Sequence, residues 1–314
     1  MEGIYGEGND IHFYVIFVVL IYASIHIPLP AREKETLMTQ PVFYLLDRDA
    51  IIMIENFLKG DFSNGDAYWD KCQAVFNEID KPENTVSAML AIMEGKRHIN
   101  DQPIARQASA CDEASVLKKY FKFASTDTDA IIKLSHSLAD LSLGSHEHGF
   151  KGYVDFYKSI SNELSQDISP EKRIEAEDRV IFTAKMHNVP TNHPLTISSL
   201  SALHGNIIAR KVLKFKTGKK SNPYGAVSDI MQYYRVANIG LILKTGYYSN
   251  YRIQFLSFDQ ALGELFGWFH LQKITCYPTT LYATVTEVEF IPNMIKLFPE
   301  MDDRRIEELV NKIK

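Results

Sequence analysis

Cysteine is scarce in this chain: Cys72, Cys111 and Cys276 are the only three in 314 residues. They form no CxxC pair and show no zinc spacing, so neither a disulfide framework nor a zinc ribbon is indicated. They read as structural thiols of a reducing compartment. Internal repeats and low-complexity tracts are absent, which removes solenoids and disordered arrays. Positive charge is in deficit: the formal net charge is −5, which argues against broad, charge-driven coating of nucleic acid but leaves room for a local basic groove. Hydrophobic residues at 46% and charged residues at 23% describe an ordinary globular protein, long enough for one elaborated domain or two.

Formal charge is missing altogether between Ile11 and Leu29, a stretch whose centre is FYVIFVVLIYA. Its length is close to the roughly 20 residues that span a bilayer as a helix. The preceding residues are acidic (Glu2, Glu7, Asp10), so this is not a secretory signal, which needs a basic start. Two readings are open. Residues 11–29 are a membrane anchor, with Arg32 and Lys34 keeping the remainder of the chain in the cytoplasm; or residues 1–37 are an upstream extension before Met38, and the working protein is cytoplasmic.

The chemistry begins at Pro41–Leu58, PVFYLLDRDAIIMIENFL. Val42 to Leu46 is an unbroken apolar run of strand length that stops on Asp47, with Asp49 two residues on and helical spacing from Ala50. Such a run fits a strand buried on both faces of a parallel sheet, and the acids then fall at its carboxyl end, where open α/β sheets bind ligands. Asp47 is equally well read as the N-cap of the following helix.

Ala67–Ile79 reads as a helix, and so does Glu83–Arg97, with Ser87 or Thr85 as its cap and Glu94 at its end. A glutamate there opposes the helix dipole and calls for compensation; it is either solvent-facing or functional. Residues 102–216 read as mostly helical, with no acid at a strand end: Pro170–Met186 reads as one helix and Pro194–Lys214 as another, on which His204 reads as structural. The loop His146-Glu147-His148 reads as solvent-facing. Arg210–Lys220, RKVLKFKTGKK, is the one dense basic segment: a solvated helix end or a phosphate-contacting loop. Asp229 lies in the first turn of a helix over Ala226–Leu243. Arg252–Phe258 reads as a strand ending on Asp259, which repeats the arrangement at Asp47; a helix over Gln260–His270 and a short strand over Lys273–Cys276 follow.

Together these fragments resemble the PIN-domain nuclease pattern. LLDRDAII resembles its opening strand and acid, SAMLAIMEG its helix ending in glutamate, AVSDIMQYY its helix-start aspartate, and FLSFDQAL its last strand and acid. Arg48 and Asp49 depart from the commoner Thr-Asn pair. The resemblance implies a three-layer α/β/α fold with a central, mainly parallel sheet and a helical insertion. Its core is then split between residues 38–99 and 217–290, with the insertion at 100–216 and a terminal helix in 291–314. It implies that Asp47, Glu94, Asp229 and Asp259 bind Mg²⁺ or Mn²⁺ and hydrolyse RNA phosphodiester bonds, with Asp49 and Ser257 behind them. Lys214, Lys216, Lys219 and Lys220 would meet the RNA backbone. It also implies a toxin or defence role, an antitoxin-like inhibitor as partner, and self-association.

Two rival readings stand beside it. Asp47-x-Asp49 after an apolar strand resembles haloacid-dehalogenase-type phosphatases, with Asp47 as nucleophile and Asp49 as general acid. A PIN-like fold with imperfect acids would instead be a non-catalytic binding module.

Overall fold

Val42–Leu46 forms the strand its apolar run predicts, and all five residues are buried. The computed structural model describes residues 13–14, 40–61, 67–95, 103–139, 147, 149–216, 222–245, 248–280 and 283–314. Its strands are β1 (Phe13–Tyr14), β2 (Val42–Leu46), β3 (Thr85–Ser87), β4 (Ser125–Thr126), β5 (Arg252–Leu256), β6 (Phe269–Thr280) and β7 (Ala283–Pro292). The molecule is a mixed α/β protein, mostly helical, with a central four-stranded parallel sheet flanked by helices. The membrane span expected over residues 11–29 lies outside the described residues, except for Phe13–Tyr14. Among the described residues no helix is long and apolar enough to cross a membrane.

The chain divides into two units. The first holds the parallel sheet, within residues 40–144 and Gln232–Gly263. Its order is β4-β3-β2-β5, with Leu45 opposite Ser87 and Leu46 opposite Leu256. A parallel sheet must be covered on both faces, which is why β2 is apolar along its whole length. The helix Arg48–Lys59 buries Ala50, Ile51, Met53 and Ile54, and the helix Ala67–Ile79 buries Cys72, Phe76 and Ile79. Phe76 is fully buried and meets Phe258, Tyr120, Phe121 and Phe57 at ring distances of 5.0, 5.4, 6.1 and 6.2 Å. The Asp80 carboxylate accepts the backbone N–H groups of Lys122, Phe123 and Ala124, fixing the entry to β4.

The second unit comprises β1, Ser145–Met231 and Glu264–Lys314. It holds the antiparallel sheet β1-β7-β6, in which Pro278 lies on the edge strand β6, the kind of strand to which sheet prolines are confined. The C-terminal helix Asp303–Ile313 is tied to the helix Pro170–Met186 through Glu177, whose buried carboxylate meets Arg305, Lys312 and, at 2.7 Å, His204 Nε2. Burial pushes the Glu177 carboxyl up, but the hydrogen bonds from His204 and Arg305 outweigh it and hold it below its ordinary value. His204 is thus a structural partner. Glu147 is buried and not solvent-facing; His146 and His148 lie outside the described residues.

Several boundaries differ from the sequence expectations. Thr85–Ser87 is a strand, and the helix expected over Glu83–Arg97 is only Met89–Glu94. The helix expected over Pro194–Lys214 is two, Pro194–Leu203 and Ile207–Leu213. Gly205, at φ 87°, breaks the first, and the Asn206 side chain accepts from the Ile208 and Ala209 amides to start the second. The helix after Asp259 stops at Phe266, and β6 is far longer than Lys273–Cys276.

Candidate functional site

The connection out of β2 leads to β3 on one side, while β5 packs on the other, so the strand order reverses between β2 and β5. In open α/β sheets that reversal leaves a crevice beyond the carboxyl ends of the two strands. Asp47 and Ser257 follow directly from those ends, and Asp47 N–H bonds to Leu256 O at 3.2 Å. Asp47 is 4% exposed and is the N-cap of the helix Arg48–Lys59, its Oδ1 accepting from Ala50 N–H at 2.8 Å. The Ser257 hydroxyl bonds to the same carboxylate and accepts the Asp259 N–H at 3.1 Å, so one serine links the two acids. Asp259, half-buried, accepts Leu262 N–H at 3.1 Å. Both strand-end acids therefore cap helices.

Glu94 ends its short helix and is buried, with Oε2 accepting from Gln232 Nε2 at 3.0 Å. Burial raises the Asp47 carboxyl to about 7; the bonds from Ser257 and Ala50 pull it down in part, and the Asp49 and Glu94 carboxylates push it up again. Tyr68 feels the same field: its hydroxyl is raised by burial first, then by Cys72, and further by Asp49 and Asp259. Asp47 thus sits in a field of negative charge to which Asp49 and Glu94 both contribute.

Asp49 is exposed in the first turn after Asp47. Asp229 is half-buried on the helix Pro223–Thr245, which starts earlier than expected and so carries Asp229 beyond its first turn; that stretch belongs to the second unit, whereas Asp47, Asp49, Glu94, Ser257 and Asp259 belong to the first. Lys214 and Lys216 are exposed, Lys214 as a left-handed helix C-cap. Lys219 and Lys220 lie outside the described residues. Arg210 is engaged by Asp167 and by Ala202 O.

Sequence reasoning missed Asp127. The expectation of no strand-end acid between residues 102 and 216 is corrected by it: Asp127 follows β4, is 1% exposed, and accepts from Ser87 Oγ at 2.5 Å. It also missed Gln232. The signal was present in AVSDIMQYYRVANIG, where Ser228, Gln232, Arg235 and Asn238 recur at helical spacing among apolar residues, and all four are buried. Compared with family models, curated proteins and solved structures, the chain matches none.

Among the described residues no three His, Cys, Asp or Glu side chains gather into a ready metal cluster. The donors around Asp47 are nonetheless all oxygen, and a carboxyl held near neutrality by burial and like charge suits a hard divalent cation.

Proposed function

We propose that the unit carrying the parallel sheet is a PIN-like, three-layer α/β/α ribonuclease that hydrolyses RNA phosphodiester bonds with Mg²⁺ or Mn²⁺ held by Asp47, Glu94 and Asp259. One observation supports this most: Asp47 and the Ser257–Asp259 pair face each other across the point where the strand order reverses. Bound there, the cation supplies Lewis acidity and a nucleophilic water at neutral pH. Ser257 orients the Asp47 carboxylate, and Gln232 orients Glu94. Lys214, Lys216, Lys219 and Lys220, which belong to the second unit, are the charged candidates for RNA-backbone contact. The same reading extends to a cytoplasmic toxin or defence role with an antitoxin-like partner.

A second reading, a non-catalytic PIN-like binding module, is favoured by the way Asp47 and Asp259 each give an oxygen to a helix N-terminus. Cleavage of a mixed RNA pool with Mn²⁺ or Mg²⁺ separates the two, using the full chain and its Asp47→Asn, Asp259→Asn and Asp229→Asn forms. We expect metal-dependent cleavage, reduced at least about 100-fold by Asp47→Asn, the scale of losing a group that stabilises transition-state charge. No cleavage by the parent chain, with no Mn²⁺ binding, leaves the binding module.

A further inference from the structure

Glu94 stands where a helix end repels it, and the compensation comes from outside the helix. Met89–Glu94 is six residues long, too short to hold itself together. Its buried apolar residues, Met89, Leu90, Ala91 and Ile92, keep it against the sheet but leave its rotation and its ends to other groups. At the N-terminal end, Ser87 Oγ accepts Met89 N–H at 3.0 Å and donates to Asp127 Oδ2. Asp127 takes the serine's only proton, so the hydroxyl's lone pairs are turned toward the helix. At the other end, Arg48 Nη2 donates at 2.6 Å to Ala91 O, a last-turn carbonyl that also accepts the Gly95 N–H at 3.3 Å. The guanidinium is itself held by Glu113, at 3.1 Å, and Glu113 also accepts from Ser109 Oγ at 2.8 Å. Arg48 thus brings a cation to the helix end that carries Glu94.

We propose that Arg48 and Asp127 are positioning residues for Glu94: they clamp the two ends of Met89–Glu94 and so fix the approach of Glu94 to Asp47. This rests on the carboxylate-site reading above. It also gives a use to the arginine at the position where the resemblance leads one to expect threonine. Gln232 bonds the Glu94 carboxylate directly, which leaves the clamps to set where the helix stands and not how the carboxylate turns.

Calorimetric titration of the full chain with Mn²⁺ alone tests this, with folding of each variant checked by circular dichroism. Groups behind metal ligands are typically worth 10–100-fold in affinity, so Asp127→Asn and Arg48→Lys should each weaken Mn²⁺ binding by about 10-fold. Arg48→Lys keeps the charge but cannot reach Ala91 and Glu113 together. In a Glu94→Gln background the same substitutions should cost less than about 2-fold, because the ligand they position is gone. A general loss of packing would instead add to the Glu94→Gln effect. Wild-type affinity in either folded clamp variant, or equal losses with and without Glu94, overturns the inference. If Asp47→Asn and Glu94→Gln both bind Mn²⁺ like the parent chain, the carboxylate-site reading fails first and takes this inference with it.

Discussion

Asp47 is a buried carboxyl whose surroundings favour its neutral form. Its pKa rises from 3.8 to about 7, so the folded protein holds a proton that the unfolded chain has already lost across that window. The folded state binds more protons there, so this group's contribution to stability falls as pH rises through the window, and the loss persists above it. Asp47→Asn can keep the Ala50 and Ser257 bonds without the charge. In chelator at pH 8 we expect it to be more stable than the parent by a few kcal/mol at most, from about 1.4 kcal/mol per pKa unit, with the gain gone near pH 4. Urea unfolding at pH 4, 6 and 8 measures it; equal stability at pH 8 removes the burial argument. Asp47 was legible in the sequence because an apolar run stops abruptly on an acid. Asp127 was not, because its strand, Ser125–Thr126, is two polar residues long and gives no periodic signal.

At the scale of elements, two helix glycines make opposite predictions. A Cβ on Gly152 would lie 2.7 Å from His187 O, so the helix Phe150–Leu164 meets that backbone only because residue 152 has no side chain. Gly152→Ala should cost about 1–3 kcal/mol, as overpacking does. Gly263, in the helix Gln260–Phe266, has nothing within 4 Å of such a Cβ, and Gly263→Ala should stabilise by about 0.5–1 kcal/mol. Thermal melts of the two variants decide the pair; a neutral Gly152→Ala shows that the helices have room to move. One unbroken apolar run and two long helices were readable to the residue: Val42–Leu46, Ala67–Ile79 and Pro170–Met186 coincide with their expected spans. Thr85–Ser87 was not, since its cap-forming residues precede Met89, Ile92 and Met93 at helical spacing and the three-residue strand vanished into the helix signal. Ala283–Pro292 went unread although EVEF within it alternates as a strand should.

For the whole molecule, a net charge of −5 gives RNA no favourable overall field, so the proposed contact rests on a local cluster of cations. In chelator, Lys214→Ala and Lys216→Ala should each flatten the slope of log affinity against log salt by roughly 0.7, the single-strand value per phosphate contact. Asp47→Asn should leave that slope unchanged. Filter binding at several salt concentrations reads this out, and slopes insensitive to both lysines would move the backbone contact elsewhere. The parallel sheet has a further consequence, one of timing. Val42 on β2 pairs with Arg252 on β5, 210 positions later. At the usual 5–20 residues per second of synthesis, the edge of β2 waits on the order of 10–40 s for its neighbour. Through that interval an apolar strand stands open on the ribosome, and Asp47 has no Ser257 to meet. A message cut short before the codon for Arg252 yields a chain with a sticky edge and half of its acid pair.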